Sequence, residues 1–255
     1  MSEILKSEYL VKRESLSAIA DAIRSRSGAV GKLSFPEGFV NEVTAISGSD
    51  DGRIKTMIER TITNIALPNS LTKIGDNAFY QCNTLVSISF PDGVTSIGCD
   101  AFYGCDKLAL TSLPSGLTSI GFGAFSLCYK LSLTSLPSGL TNIGHEAFSS
   151  CSKLALTSLP PGLTEIKYGT FIHCPKLALT SIPSGVTYIA DRAFSECTSL
   201  KKLTFEGTPT TIDPNVFAGC TNLTTINVPW AEGTVAGAPW GATNATINYN
   251  YTGEA

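Results

Sequence analysis

The 255-residue chain has only two histidines, two tryptophans and two methionines, and just 15% of its residues are charged. With so little histidine, catalysis by a nucleophile and its base has almost no raw material, and neither does histidine-ligated metal chemistry. A phosphate-cradling glycine loop, a nucleophile elbow and a zinc-binding histidine motif are also missing. These absences point away from an enzyme, a cofactor or a metal. Neither sign of charge dominates: Lys+Arg 18 against Asp+Glu 21 leaves a net −3, which excludes a strongly basic nucleic-acid binder. No apolar run approaches the ~20 residues of a membrane helix. The stretch Met1 to Leu10 scatters charges among its apolar residues and lacks the basic patch and apolar core of a secretion signal.

What is present is a folded, turn-rich body. Hydrophobic residues make up 43% of the chain, too many for disorder, while Gly 23 and Pro 13 are too many for a bundle of long helices. The eight cysteines expose the plan. Cys82, Cys105, Cys128, Cys151, Cys174, Cys197 and Cys220 recur every 23 residues, and only Cys99 falls out of register. The same step carries a phenylalanine column from Phe79 to Phe217, an isoleucine column from Ile74 to Ile212 and a leucine column from Leu85 to Leu223. Four apolar columns held over seven units without an insertion mean that each unit buries its face only against its neighbours, as in a solenoid.

Within Leu113 to Ser135, Leu113-Pro114-Ser115-Gly116 suits a type I turn with proline second and glycine fourth. Leu117 to Ile120 alternates apolar and polar, and Ala124-Phe125 with Cys128 three residues on suits a stub of helix facing inward. Leu131 opens a second extended stretch. Stacking such units in parallel at about 4.8 Å gives a curved rod roughly 30 Å long.

The string Leu71-Thr72-Lys73-Ile74-Gly75-Asp76-Asn77-Ala78-Phe79-Tyr80-Gln81-Cys82 resembles the BspA-like class of leucine-rich repeat, and the likeness runs from about Ile62 to Val228. It implies a right-handed α/β solenoid of seven 23-residue units. It also implies the company of bacterial surface adhesins, which bind host proteins or other cells. Four middle units depart from the pattern: the apolar residue seen at Ile88, Leu203 and Ile226 is replaced by Thr111, Thr134, Thr157 and Thr180. Two residues after each of their column leucines stand Leu110, Leu133, Leu156 and Leu179. Alternation allows only one of these sets inside. Either the leucines form an outward apolar stripe, or the register adjusts to bury them; the second reading is preferred.

The chain divides into a helical N-terminal module (1–47), a linker and start of cap (48–60), the solenoid (61–228) and a C-terminal β-type cap (229–255). Leu16, Ile19, Ala20 and Ile23 follow helical spacing after a Ser15 cap, and Pro36, Phe39, Val43 and Ile46 suggest a second helix, together a hairpin. Ile62, Ile65 and Leu67 precede Leu85, Ile88 and Phe90 by one repeat, so a half-unit starts near Thr61. Both tryptophans, Trp230 and Trp240, lie in the tail with the alternating Thr246 to Tyr251, which suggests a hairpin-like lid. The segments Leu16 to Arg24 and Leu33 to Phe39, with the tail string Val228-Pro229-Trp230 through Ala238-Pro239-Trp240-Gly241, resemble tail-associated structural proteins of phages and prophages of Gram-positive gut bacteria. That likeness implies a helical module docked to a particle while the solenoid faces outward.

Equivalent cysteines project the same way, so the ladder is expected to consist of buried reduced thiols rather than disulfides or metal ligands. Both histidines are expected at the surface. His145 shares its column with Asp76, Cys99, Phe122, Tyr168, Asp191 and Pro214, a set too varied for a buried position. Lys107, Lys130, Lys153 and Lys176 form a column of like charge, either an anion- or glycan-binding stripe or a solvated edge that blocks strand addition. Together these features describe a non-enzymatic recognition scaffold. Its partners would be a protein or cell-surface glycan receptor, with a virion assembly partner at the N-terminal module and no nucleic acid. Its place would be the virion after cytoplasmic synthesis, with a cell-surface or secreted adhesin as the alternative.

Overall fold

The computed structural model describes residues 63–67, 69 and 71–253, so the helical module and linker expected over 1–60 lie outside the described residues. Thirteen short strands follow one another: β1 (Asn64–Ala66), β2 (Lys73–Ile74), β3 (Ser87–Ser89), β4 (Ser96–Ile97), β5 (Ser119–Ile120), β6 (Asn142–Ile143), β7 (Glu165–Ile166), β8 (Ser181–Ile182), β9 (Tyr188–Ile189), β10 (Lys202–Phe205), β11 (Thr211–Ile212), β12 (Thr225–Asn227) and β13 (Thr246–Asn248). Every pairing is parallel, and strand partners other than those of β12 and β13 are one repeat apart, as in Ile65 with Ile88 and Ile74 with Ile97. One face carries β1-β3 and β8-β10-β12-β13; a second carries β2-β4-β5-β6 and β7-β9-β11. The result is the expected leucine-rich-repeat solenoid, and among the described residues it is a parallel β-solenoid with its core enclosed between the faces.

The third side of each coil was expected to be a stub of helix and is a string of tight turns; no helix forms among the described residues. Six of the seven coils have two residues with positive φ, four apart, as at Asn77 and Gln81, Asp100 and Gly104, and Glu146 and Ser150. A left-handed residue at that interval stops an α-helix before its hydrogen-bond ladder can start. The amides alternate instead. Ala78, Tyr80 and Cys82 donate three residues back within the coil, to Gly75, Asn77 and Phe79, while Asn77, Phe79 and Gln81 donate to Cys99, Ala101 and Tyr103 of the next coil. On the second face the bonds run the other way, Gly98 donating to Ile74 and Gly121 to Ile97. The proline-glycine turn is also shifted by one residue: the Leu117 amide closes onto the Pro114 carbonyl, which puts proline first and Gly116 third. Proline has no N–H to continue a ladder, but its carbonyl can accept.

The middle coils bury Leu110, Leu133, Leu156 and Leu179 and expose Thr111, Thr134, Thr157 and Thr180. The register adjusts, so no outward leucine stripe exists. Between Leu108 and Thr180 the first face has no assigned strand as a consequence; pairing resumes with Ser181 opposite Thr204.

The second face divides between β6 and β7. Before the break, the position after the column isoleucine is Gly98, Gly121 and Gly144; after it, Lys167, Ala190 and Asp213. A Cβ on Gly121 would lie 2.6 Å from the Cys99 nitrogen and the Gly98 carbonyl carbon. At these glycines the backbone of the preceding coil leaves no room for a side chain. Gly121→Ala is expected to cost about 1–3 kcal/mol, as overpacking against rigid backbone does. A urea midpoint unchanged from the parent would refute this.

At the C-terminal end the hairpin-like lid is replaced by one more parallel coil. β13 pairs with β12 in parallel, Ile226 opposite Ile247, and the Phe217 amide donates to the Trp240 carbonyl at 2.9 Å. Trp240 stands one repeat after Phe217 and is fully buried, and Val235, one repeat after Ile212, is buried too. At the other end, β1 with buried Ile65 and Leu67 forms the expected half-unit.

Candidate interaction surfaces

Seven phenylalanines stack along the core with centroids 5.1 Å apart from Phe79 to Phe102 and 5.6 Å from Phe148 to Phe171, the planes within 7°. Beside them runs the cysteine ladder. The Cys105 Sγ donates to the Phe79 carbonyl at 3.0 Å, and Cys128, Cys151, Cys174, Cys197 and Cys220 repeat this toward Phe102, Phe125, Phe148, Phe171 and Phe194. Except at Phe171, each of these phenylalanine carbonyls also takes the amide of its own coil's cysteine, so the thiol uses the second lone pair. Burial pushes the thiols of Cys128, Cys151, Cys174, Cys197 and Cys220 up, Cys174 and Cys220 to about 12. The ladder is structural: thiols held protonated, unpaired and out of reach. Only Cys99 is exposed. A thiol reagent at pH 8 is expected to label one cysteine in the folded protein and all eight after denaturation. Labelling of two or more in the folded state would contradict the burial of the ladder.

Lys107, Lys130, Lys153 and Lys176 are all exposed, at the corner between the turn side and the first face. None of them forms an ion pair with a described residue, so the column presents four solvated like charges in register. His145 and His173 are both exposed, and His173 takes one of the left-handed positions with φ 56°. No group of three His, Cys, Asp or Glu able to hold a metal occurs among the described residues. No helix there is long and apolar enough to cross a membrane.

The opposite corner of the turn side holds residues the repeat pattern did not single out. Phe122 is 47% exposed and Tyr168 36% exposed, two coils apart in the His145 column, and Tyr188 is 36% exposed on the neighbouring strand. Exposed rings at matching positions make this corner a candidate interaction surface. The available signal was the pair Phe122 and Tyr168 in a column whose other members are mostly polar.

The family described as BspA type Leucine rich repeat region matches residues 57–178 and 124–235, in 6 copies. The chain belongs to that family. BspA-type repeats form recognition scaffolds that are generally non-enzymatic, so this solenoid is a protein-interaction scaffold. Among solved structures, the leucine-rich repeat protein TpLRR of T. pallidum is 31% identical, over 62% of this chain and 64% of its own, with a TM-score of 0.45. A leucine-rich repeat protein from Bacteroides ovatus is 25% identical over 74% and 61%, with a TM-score of 0.48. The pneumococcal vaccine antigen PcpA is 19% identical over 73% and 58%, with a TM-score of 0.40. The chain spans less than two thirds of the length of each. No curated protein matches it.

Proposed function

We propose that this BspA-type solenoid is the outward recognition arm of a phage or prophage tail-associated protein, which binds a protein or cell-surface glycan receptor and attaches to the particle through its N-terminal module. The observation that carries the recognition role is the row of exposed, unpaired lysines at one-coil spacing on a hydrogen-bonded rod. A rigid row presents its charges without further ordering cost and suits an extended anionic partner. The attachment role is supported by the likeness of Leu16 to Arg24, Leu33 to Phe39 and the Trp230 to Gly241 string to tail-associated proteins.

Two measurements test this. Induction of prophage in the source bacterium, followed by density-gradient separation and antibody detection, is expected to place the chain with particles; signal on cells or in the medium alone would favour a cell-surface adhesin instead. With purified particles, Lys107→Glu, Lys130→Glu, Lys153→Glu and Lys176→Glu combined are expected to weaken cell binding at least about tenfold and to flatten its salt dependence. Unchanged binding with unchanged salt dependence would remove the lysine row from the interface.

A further inference from the structure

We propose that the corner built from Phe122, His145 and Tyr168 binds a cationic extended peptide, an arginine- or lysine-rich segment of a partner protein. This rests on the reading of the solenoid as an interaction scaffold but not on the lysine row, which lies at the other end of the turn side.

The three side chains leave consecutive coils whose backbones are locked together. The Asp100 amide donates to the Phe122 carbonyl at 2.7 Å, Gly123 to His145 at 2.9 Å and Glu146 to Tyr168 at 2.9 Å. Neighbouring coils in such a stack lie ~4.8 Å apart, so the backbone positions of Phe122 and Tyr168 are ~10 Å from each other with that of His145 between. Rings anchored on hydrogen-bonded backbone lose little freedom when a ligand covers them, which is what makes aromatic side chains effective anchors.

Charge selects the ligand. Across the strand ends and first turn residues of the seven coils stand six carboxylates, Asp76, Asp100, Glu146, Glu165, Asp191 and Asp213, against three cations. Two of the cations are already engaged. Lys167 lies 3.1 Å from Glu165 and donates to the Asn142 Oδ1 at 2.8 Å, and Arg192 lies 3.7 Å from Asp191. Asp100 and Glu146 flank the aromatic column with no cation against them. Partial burial, then the charges of Asp76 and Glu146, push the Asp100 carboxyl up, as expected for a locally negative field. A guanidinium or ammonium over the Phe122 or Tyr168 face, with its donors on Asp100 or Glu146, meets both features at once. An anion would meet repulsion, and a neutral sugar would use the rings but leave the carboxylates without a counterpart. A polyproline II chain presents residues i and i+3 on one side at ~9 Å, close to the spacing of those two backbone positions.

The test uses a fluorescein-labelled peptide of three Arg-Pro-Pro units, with a Glu-Pro-Pro peptide as control, in anisotropy titrations of the full chain at low salt. Saturable binding of the arginine peptide alone is expected. Phe122→Ala with Tyr168→Ala, and separately Asp100→Asn with Glu146→Gln, should each weaken it at least about tenfold. Lys130→Gln with Lys153→Gln should leave it unchanged, which separates this site from the lysine row. The altered side chains are solvent-facing, and matching circular dichroism melts verify the fold; if the alanine pair melts early, Phe122→Tyr, expected to bind like the parent, and the carboxylate pair carry the test. Absence of saturation at millimolar peptide, equal binding after the rings are removed, or preference for the glutamate peptide or a neutral oligosaccharide would each overturn the proposal. So would salt-sensitive self-association abolished by Phe122→Ala, which would make a second copy of the chain the occupant.

Discussion

Raising the pH from 8.5 to 10.5 is expected to unfold the solenoid. The thiols of Cys105, Cys128, Cys151, Cys174, Cys197 and Cys220 are all pushed above the ordinary value of 9.0; burial is the leading cause for all except Cys105, where the hydrogen bond with Cys82 comes first. In the unfolded chain these thiols lose their protons as the pH passes 9.0, whereas in the folded chain Cys174 and Cys220 hold theirs to about 12. The folded-state value is raised, so the stabilisation is complete below the unfolded value and drains away as pH climbs toward the folded one. Each such thiol removes up to about 1.4 kcal/mol per pH unit once the pH is above the unfolded value, so six together remove on the order of 10 kcal/mol between pH 8.5 and 10.5. That is comparable with the whole stability of a domain, about 5–15 kcal/mol. Urea midpoints by circular dichroism from pH 7 to 11 should be flat to about 8.5 and then fall steeply, and Cys151→Ala should make the fall shallower by one thiol's share. A midpoint that holds steady to pH 11 would refute the mechanism.

Phe148→Ala should cost about 3–5 kcal/mol, the toll of removing a buried aromatic ring from a core that cannot collapse around the gap. Phe148 is fully buried between Phe125 and Phe171, 5.6 Å from each and within 4° of parallel. Because each coil touches only its neighbours, the gap also weakens the coupling between the two halves. Both tryptophans sit in the terminal coil, packed against Phe205, so their fluorescence reports that end while circular dichroism reports the whole. In the parent the two signals should change together on denaturation; in Phe148→Ala they should separate. A loss below about 1 kcal/mol with coincident curves would show that the ring stack does not set cooperativity.

Most of the fold was legible because a solenoid writes its core as columns. Phe79 to Phe217, the buried cysteines and the half-unit at Ile65 and Leu67 all followed from the repeat step. The inward choice of Leu110, Leu133, Leu156 and Leu179 followed from alternation. The turn side was misread because Ala-Phe with a cysteine three residues on has helical spacing, and the evidence against helix lay in other positions. Asn77, Asp100, Gly123 and Gly169 share a column and all have positive φ, a residue set that tolerates that region. Leu127, at φ 61°, gave no such hint; its conformation is imposed by the coil on either side. The last coil was hidden by a change of residue type, Trp240 in the phenylalanine column, and by a pairing of Ile226 with Ile247 that falls two residues short of the usual step. The aromatic corner was invisible to a search for sameness, because its column carries a different residue in nearly every coil.

On the turn side each coil donates forward to its successor, and on the second face each successor donates back except across the break between β6 and β7. Away from that break, interior coils therefore offer the same donors and acceptors above and below, whatever side chains they display. Loss or duplication of a whole repeat in the gene would keep the reading frame and leave each remaining backbone group with an equivalent partner. Rod length is thus free to vary between lineages as a count of copies, while corner residues change one codon at a time, so reach and specificity can evolve independently.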